Sequence, residues 1–181
     1  MKHVAARSLA LAFALALSPV MAFAQLPADL QTKVDTYKKK LVEWAANPAI
    51  VNAAKESNTK GGLAPGMNNS KWDDLGEKDA LVMSFQTSEA GKLVTNWETD
   101  TAITKLYLRD EKGNLVASSN KPLLYNNGTK PPFVNGMKGE AWNAGEVKPD
   151  PATQVKGVHI SAPVLDGGKP IGVLHSSVAA Q

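Results

Sequence analysis

Two histidines, His159 and His175, sit in two runs of small and β-branched residues joined by Asp166-Gly167-Gly168-Lys169. Paired glycines accept the positive φ of a tight turn, so residues 159–178 read as a β-hairpin with one histidine on each strand. Two imidazoles on neighbouring strands can share a metal, touch a ligand or simply pack. Register decides between these. With the turn closed on Gly167-Gly168 and even pairing beyond it, Val164 faces Ile171, Ala162 faces Val173, Ile160 faces His175, and His159 falls opposite Ser176. That register puts the histidines on opposite faces and leaves no shared metal, whereas a one-residue slip carries one of them across. It also makes Ile160, Ala162, Val164, Ile171 and Val173 a core face and points His159 and Ser161 the other way.

Four other positions carry chemistry. Arg109 is the sole arginine beyond residue 24 in a lysine-rich chain. Its planar fork suits either a neighbouring acid, Asp110 or Glu111, or the carboxylate of a ligand. Asp150 lies between two prolines, where it is either a turn aspartate bonding its own backbone or a ligand contact. Trp142 opens a strand-like run and is either core or pocket wall. Tyr125 and Phe133 stand in residues 120–140, a segment of three prolines, three glycines and four asparagines. Aromatic residues in such a loop pack against something, so the loop is expected to cover a site.

Enzyme signatures are sparse. There is no cysteine, which removes disulfides, thiolate metal sites and covalently attached haem. No G-x-S-x-G elbow, H-E-x-x-H or phosphate-binding glycine loop is present, and no cofactor is expected. The catalytic alternative is a hydrolase pairing His159 or His175 with Ser161 or Ser176. Asn127-Gly128-Thr129 matches a glycosylation sequon by chance, since the leader is bacterial in type.

That leader is residues 1–24: Lys2 and Arg7, an apolar run over 9–17, then Ala22-Phe23-Ala24, a secretory signal cleaved ahead of Gln25. Cleavage takes two of the 20 basic residues and leaves 18 against 17 acidic ones. The mature chain is thus close to neutral, and nucleic acid is not an expected partner. A periplasmic or secreted location follows.

Residues 25–181 then form one domain, helical first and strand-rich later. Leu30, Val34, Tyr37, Leu41 and Trp44 recur at helical spacing, and the pattern restarts after Asn47-Pro48, giving a helical segment over 25–58. Short helices are expected near 79–85 and 88–97, with Trp72 and Trp97 packing in the core. From residue 102 the period becomes two: a strand through Ile103 to Arg109, a turn at Asp110–Asn114, a strand "LVASS", a third strand over 142–147, and the histidine hairpin. The fold class is α+β with a five-stranded antiparallel sheet.

The order of "LVEWAANPAIVNAAKESN", "ITKLYLRDEKGNLVASS" and "KPDPATQVKGVHISAPVLDGGKPIGVLHSSV" resembles the extracytoplasmic Cache sensor domains, PAS-like modules of chemoreceptors and sensor kinases. The resemblance covers most of residues 25–181 and rests on the D-x-x-G turn followed by A-S, the Asp-x-x-Thr ahead of a strand, and the final I-S-x-P-V hairpin. It implies a long N-terminal helix packed on one face of the sheet and a small-molecule pocket on the other, in a single Cache unit. It further implies a ligand-binding role in chemotaxis or signal transduction. Asp150 matches by position an aspartate of amino-acid-binding members, while their R-x-W-Y element is missing from 121–138. The expected ligand-binding set is Arg109, Tyr125, Phe133, Trp142, Asp150 and His159. With no output module after the last strand, the domain is expected to present or buffer its ligand, partnered by a membrane sensor kinase or chemoreceptor. The alternative is a ligand-free interaction module, homodimeric through the N-terminal helix with Tyr37 and Trp44.

Overall fold

A computed structural model of the chain describes residues 26–151 and 154–181. The expected signal peptide lies outside the described residues. The first helix, α1 (Ala28–Ala45), buries Leu30, Val34, Leu41 and Ala45, a stripe at spacings of three and four that fits one helical face. Its other aromatic positions are also occupied within the chain. The Tyr37 hydroxyl donates to Asp100 at 2.6 Å, and Trp44 stacks on Trp97 at 5.1 Å between ring centroids. Tyr37 and Trp44, both half-buried, thus have partners within the chain. Lys33 Nζ donates to the Ala179 and Gln181 carbonyls at 2.8 and 2.9 Å, tying α1 to the end of the last strand.

The restart at Asn47 is a capped new helix. The Asn47 side chain accepts from the Ala49 N–H at 2.9 Å and Pro48 fills the first turn of α2 (Pro48–Lys60). Three short helices follow: α3 (Asn69–Asp73), capped by Asn68, then α4 (Ala80–Thr87) and α5 (Glu89–Glu98), the latter capped by Ser88.

The strands are β1 (Ile103–Asp110), β2 (Leu115–Ser118), β3 (Trp142–Asn143), β4 (Lys148–Pro149), β5 (Lys156–Asp166) and β6 (Lys169–Ala179). They form an antiparallel sheet of order β2-β1-β6-β5-β3, with β4 also on β5. β3 and β4 share one edge, giving six strands where five were expected; of the strand expected over 142–147 only Trp142–Asn143 forms, and β4 lies beyond it. Gly145 falls in the gap between them, and a glycine has no side chain to pack against a neighbouring strand. Between β2 and β3, a short helix α6 (Pro131–Gly136) starts on Pro131-Pro132, within residues 120–140, most of which are expected to be irregular. Prolines suit the first turn of a helix.

α1 packs on β5 and β6, and α2 on β1. The sheet face beneath them is apolar: Leu106, Leu108, Ala117, Val158, Ile160, Ala162, Val164, Leu174 and Val178 are all essentially inaccessible. A second cluster, Trp72, Val82, Phe85, Tyr107, Leu115 and Tyr125, closes one end of the opposite face. The molecule has the expected α+β layering: long helix behind, antiparallel sheet in the middle, short helices and a flap over residues 120–130 in front.

Candidate functional site

The front face takes its chemistry from strand period. Lys105, Tyr107 and Arg109 alternate along β1, and Tyr107 lies opposite His175 of β6, which lies opposite Ser161 of β5. His159 follows on the same face, paired with Ser177. The even hairpin register is therefore corrected. Asp166 does face Lys169, but Leu165 faces Pro170 and Val164 faces Gly172, so Ile171 is an extra residue. Pro170 has no N–H to continue the ladder, and at Gly172 a Cβ would come within 2.4 Å of the Arg109 carbonyl. The bulge brings both histidines to the front face. It also exchanges Val173 for Leu174 in the apolar core behind.

Arg109 pairs with neither Asp110 nor Glu111. Fully enclosed, it donates through Nη1 to the Tyr125 carbonyl, through Nη2 to the Leu124 carbonyl at 3.1 Å, and through Nε to His175 Nε2 at 3.4 Å. Burial lowers its pKa to about 10. Asp110 points to the opposite face, where it accepts from Ser57 at 2.9 Å and from the Asn114 side chain and backbone. Asn127 is likewise buried, with Nδ2 3.2 Å from His175 Nε2, so the sequon has no exposed acceptor. Among the described residues, His175 Nδ1, Asn127 Oδ1, Ser161 Oγ and His159 Nδ1 are buried without a hydrogen-bond partner.

Beside this cluster lies a cleft of about 440 Å³. Its floor is Lys105, Tyr107 and Asp150. Glu77, Lys78 and Gln86 wall one side; Asn120 and Lys121, from the segment after β2, wall the other. Lys105 and Asp150 form an ion pair, both largely buried at 12% and 5% side-chain exposure. The Tyr107 hydroxyl donates to Asn120 Oδ1 at 2.5 Å, and burial pushes its pKa up, so it stays a neutral phenol. The cleft thus offers fixed charges of both signs with amide and phenol groups between them.

Of the residues singled out from sequence, Asp150 lines this cleft. His159 stands next to it, its pKa brought down to about 4 by burial and then by Lys105. Arg109 lies one side chain deeper, its guanidinium carbon 5.7 Å from the Tyr107 ring centre. Tyr125 packs against Trp72 and Phe85, Phe133 is buried on α6, and half-buried Trp142 faces Ser161. Where α6 crosses the sheet, a Cβ on Gly136 would meet Val173 at 2.7 Å, so only glycine lets the helix settle this close. Lys105, Lys78 and Asn120, which line the cleft, stand outside the ligand-binding set expected from the sequence. The signal for Lys105 was legible: a lysine in mid-strand on the face of Tyr107 and Arg109.

Among the described residues, no group of three His, Cys, Asp or Glu is placed to hold a metal. His175 Nε2 is taken by Arg109 and Asn127, and Ser176 turns to the back face, donating to the Lys105 carbonyl at 2.5 Å. No described helix is long and apolar enough to cross a membrane.

No protein-family model matches the chain, and no curated protein matches it. Similar solved structures include the sensor domain of the V. cholerae histidine kinase DctB. It is 17% identical, with 83% of this chain and 57% of that one covered and a TM-score of 0.44. The sensory domain of the Campylobacter jejuni chemoreceptor Tlp3 with isoleucine bound is 12% identical, with 85% and 64% covered and a TM-score of 0.42. The type II free methionine-R-sulfoxide reductase of Thermoplasma acidophilum is 19% identical over 52% of this chain and 75% of its own, with a TM-score of 0.41. The chain spans less than two thirds of the length of the two sensor domains.

Proposed function

We propose that the chain is an exported, sensor-type binding domain that takes a small polar molecule into the front cleft. In this reading it presents the occupied state to a membrane sensor kinase or chemoreceptor and carries out no catalysis of its own. The observation that carries it is the cleft floor, where the Lys105–Asp150 pair lies buried on the sheet face away from α1. A concave site with a few placed polar groups is the usual form of a small-molecule pocket. Asp150 touches the ligand; His159, Arg109, Tyr125, Phe133 and Trp142 hold the floor and the flap that shape the cleft. Residues 1–24 direct export.

Thermal-shift screening with organic acids, amines and amino acids tests the reading. A ligand present at a hundred times its Kd adds about 2.7 kcal/mol, which raises Tm by roughly 5–10 °C in a chain of this size. The shift is expected to vanish in Asp150→Asn and to shrink in Lys121→Ala. No shift from any class, or an equal shift in Asp150→Asn, overturns it. Amino-terminal sequencing of exported protein is expected to begin at Gln25.

A further inference from the structure

The state of His175 follows from its neighbours. Arg109 Nε–H and Asn127 Nδ2–H both point at Nε2, at 3.4 and 3.2 Å. A guanidinium can only donate, so Nε2 carries the lone pair and the ring proton sits on Nδ1. These same three side chains fasten the flap. Arg109 grips the Leu124 and Tyr125 carbonyls, and Asn127 rests on His175. Asn120 and Lys121, at the start of that flap, are the cleft wall.

A proton on Nε2 turns the one acceptor between two donors into a third donor. It also sets a second positive charge against Arg109. The surroundings offer no relief. From β1 come Arg109, Lys105 and the neutral Tyr107; from β5 comes His159, cationic when charged; Asp150 is engaged with Lys105. β2 and α6 contain no titratable residue, and the flap adds Lys121, Tyr125 and Lys130. Burial, then Arg109, accordingly holds the His175 pKa well below its ordinary value.

We infer that His175 is an acid-sensitive latch: protonated, it frees the segment 120–127 and opens the cleft wall, discharging whatever the cleft holds. The discharge rests on the binding function proposed above; the latch itself does not. The sign follows from linkage. The closed flap favours neutral imidazole, so closure is at full strength above pH 6.5 and is lost as pH falls from there toward the lowered folded-state value.

The test is amide hydrogen exchange of the whole, ligand-free chain, read at Asn127 and Lys130, whose N–H groups bond the Gly113 and Asn127 carbonyls. After correction for intrinsic rates, the opening constant is expected to rise about tenfold per pH unit below 6.5, about a hundredfold by pH 4.5. Leu108 and Leu174, in the sheet, are expected to remain better protected throughout. His175→Gln keeps an acceptor and cannot be protonated, so its flap profile is expected to be flat, while His159→Gln keeps the slope. If His175→Gln does not fold, the imidazole nitrogen spectrum of the natural chain still decides, with a neutral Nδ1–H ring for His175 at pH 6. A flat natural profile, an unchanged slope in His175→Gln, flap exchange merely matching that of Leu108, or an Nε2–H tautomer each overturns the latch. A failed ligand screen leaves all of these readings intact, so the two ideas fail separately.

Discussion

The two faces of one sheet are built on different terms. Behind it, Leu106, Leu108, Ile160, Ala162 and Leu174 meet the stripe of α1, and shape alone settles the contact. In front, the alternate residues of the same strands are Lys105, Arg109, Ser161, His159 and His175, several with buried atoms that nothing satisfies. Apolar burial contributes about 25 cal/mol per Å² wherever it occurs, while an unmatched polar group costs a kilocalorie or more. The back of the sheet therefore carries stability, and the front spends part of it on chemistry.

That contrast can be broken most sharply from behind. Ile160→Ala is expected to cost about 4 kcal/mol in denaturant unfolding, since the side chain is 1% exposed in a closed core, and to leave cleft selectivity alone. Next is the ion pair in front. Asp150→Asn strands Lys105 and is expected to cost about 3 kcal/mol, whereas the double change Lys105→Met with Asp150→Leu recovers most of that loss without recovering ligand binding. Recovery of binding along with stability would make the pair structural only. Arg109→Lys keeps the charge but not the fork; losing one of the two carbonyls is expected to cost about 2 kcal/mol and to raise proteolytic cutting within 120–130. The smallest effect distinguishes the faces best. Ser161→Ala removes an unpartnered buried hydroxyl and is expected to shift stability by less than about 1 kcal/mol, upward, where a truncation behind the sheet is always a loss.

Much of the scaffold is legible from residue order because period reports burial. The α1 stripe, the Asn47-Pro48 restart, the Asp110–Asn114 turn and the Asp166-Gly167-Gly168-Lys169 hairpin each follow from local chemistry that the rest of the chain does not override. The front face was harder to read for a specific reason. One bulged residue, Ile171, moves His175 and Val173 across the sheet, and an inserted residue leaves no mark on composition or alternation. Pro170 beside it was the available hint. The cleft is assembled from three distant segments, around 77–86, 104–107 and 120–121, with Asp150 as the fourth contributor. Only Asp150 stood out by its own setting, between two prolines; Lys78 and Lys121 are ordinary lysines until the fold sets them facing one another.

The grip of Arg109 on the Leu124 and Tyr125 carbonyls has a consequence for how such a domain can diversify. Main-chain oxygens are the same whatever residue bears them, so the fastening is indifferent to identity at 121–124. Substitutions there can recast the cleft wall while the attachment point stays put, which separates the evolution of preference from the upkeep of the scaffold.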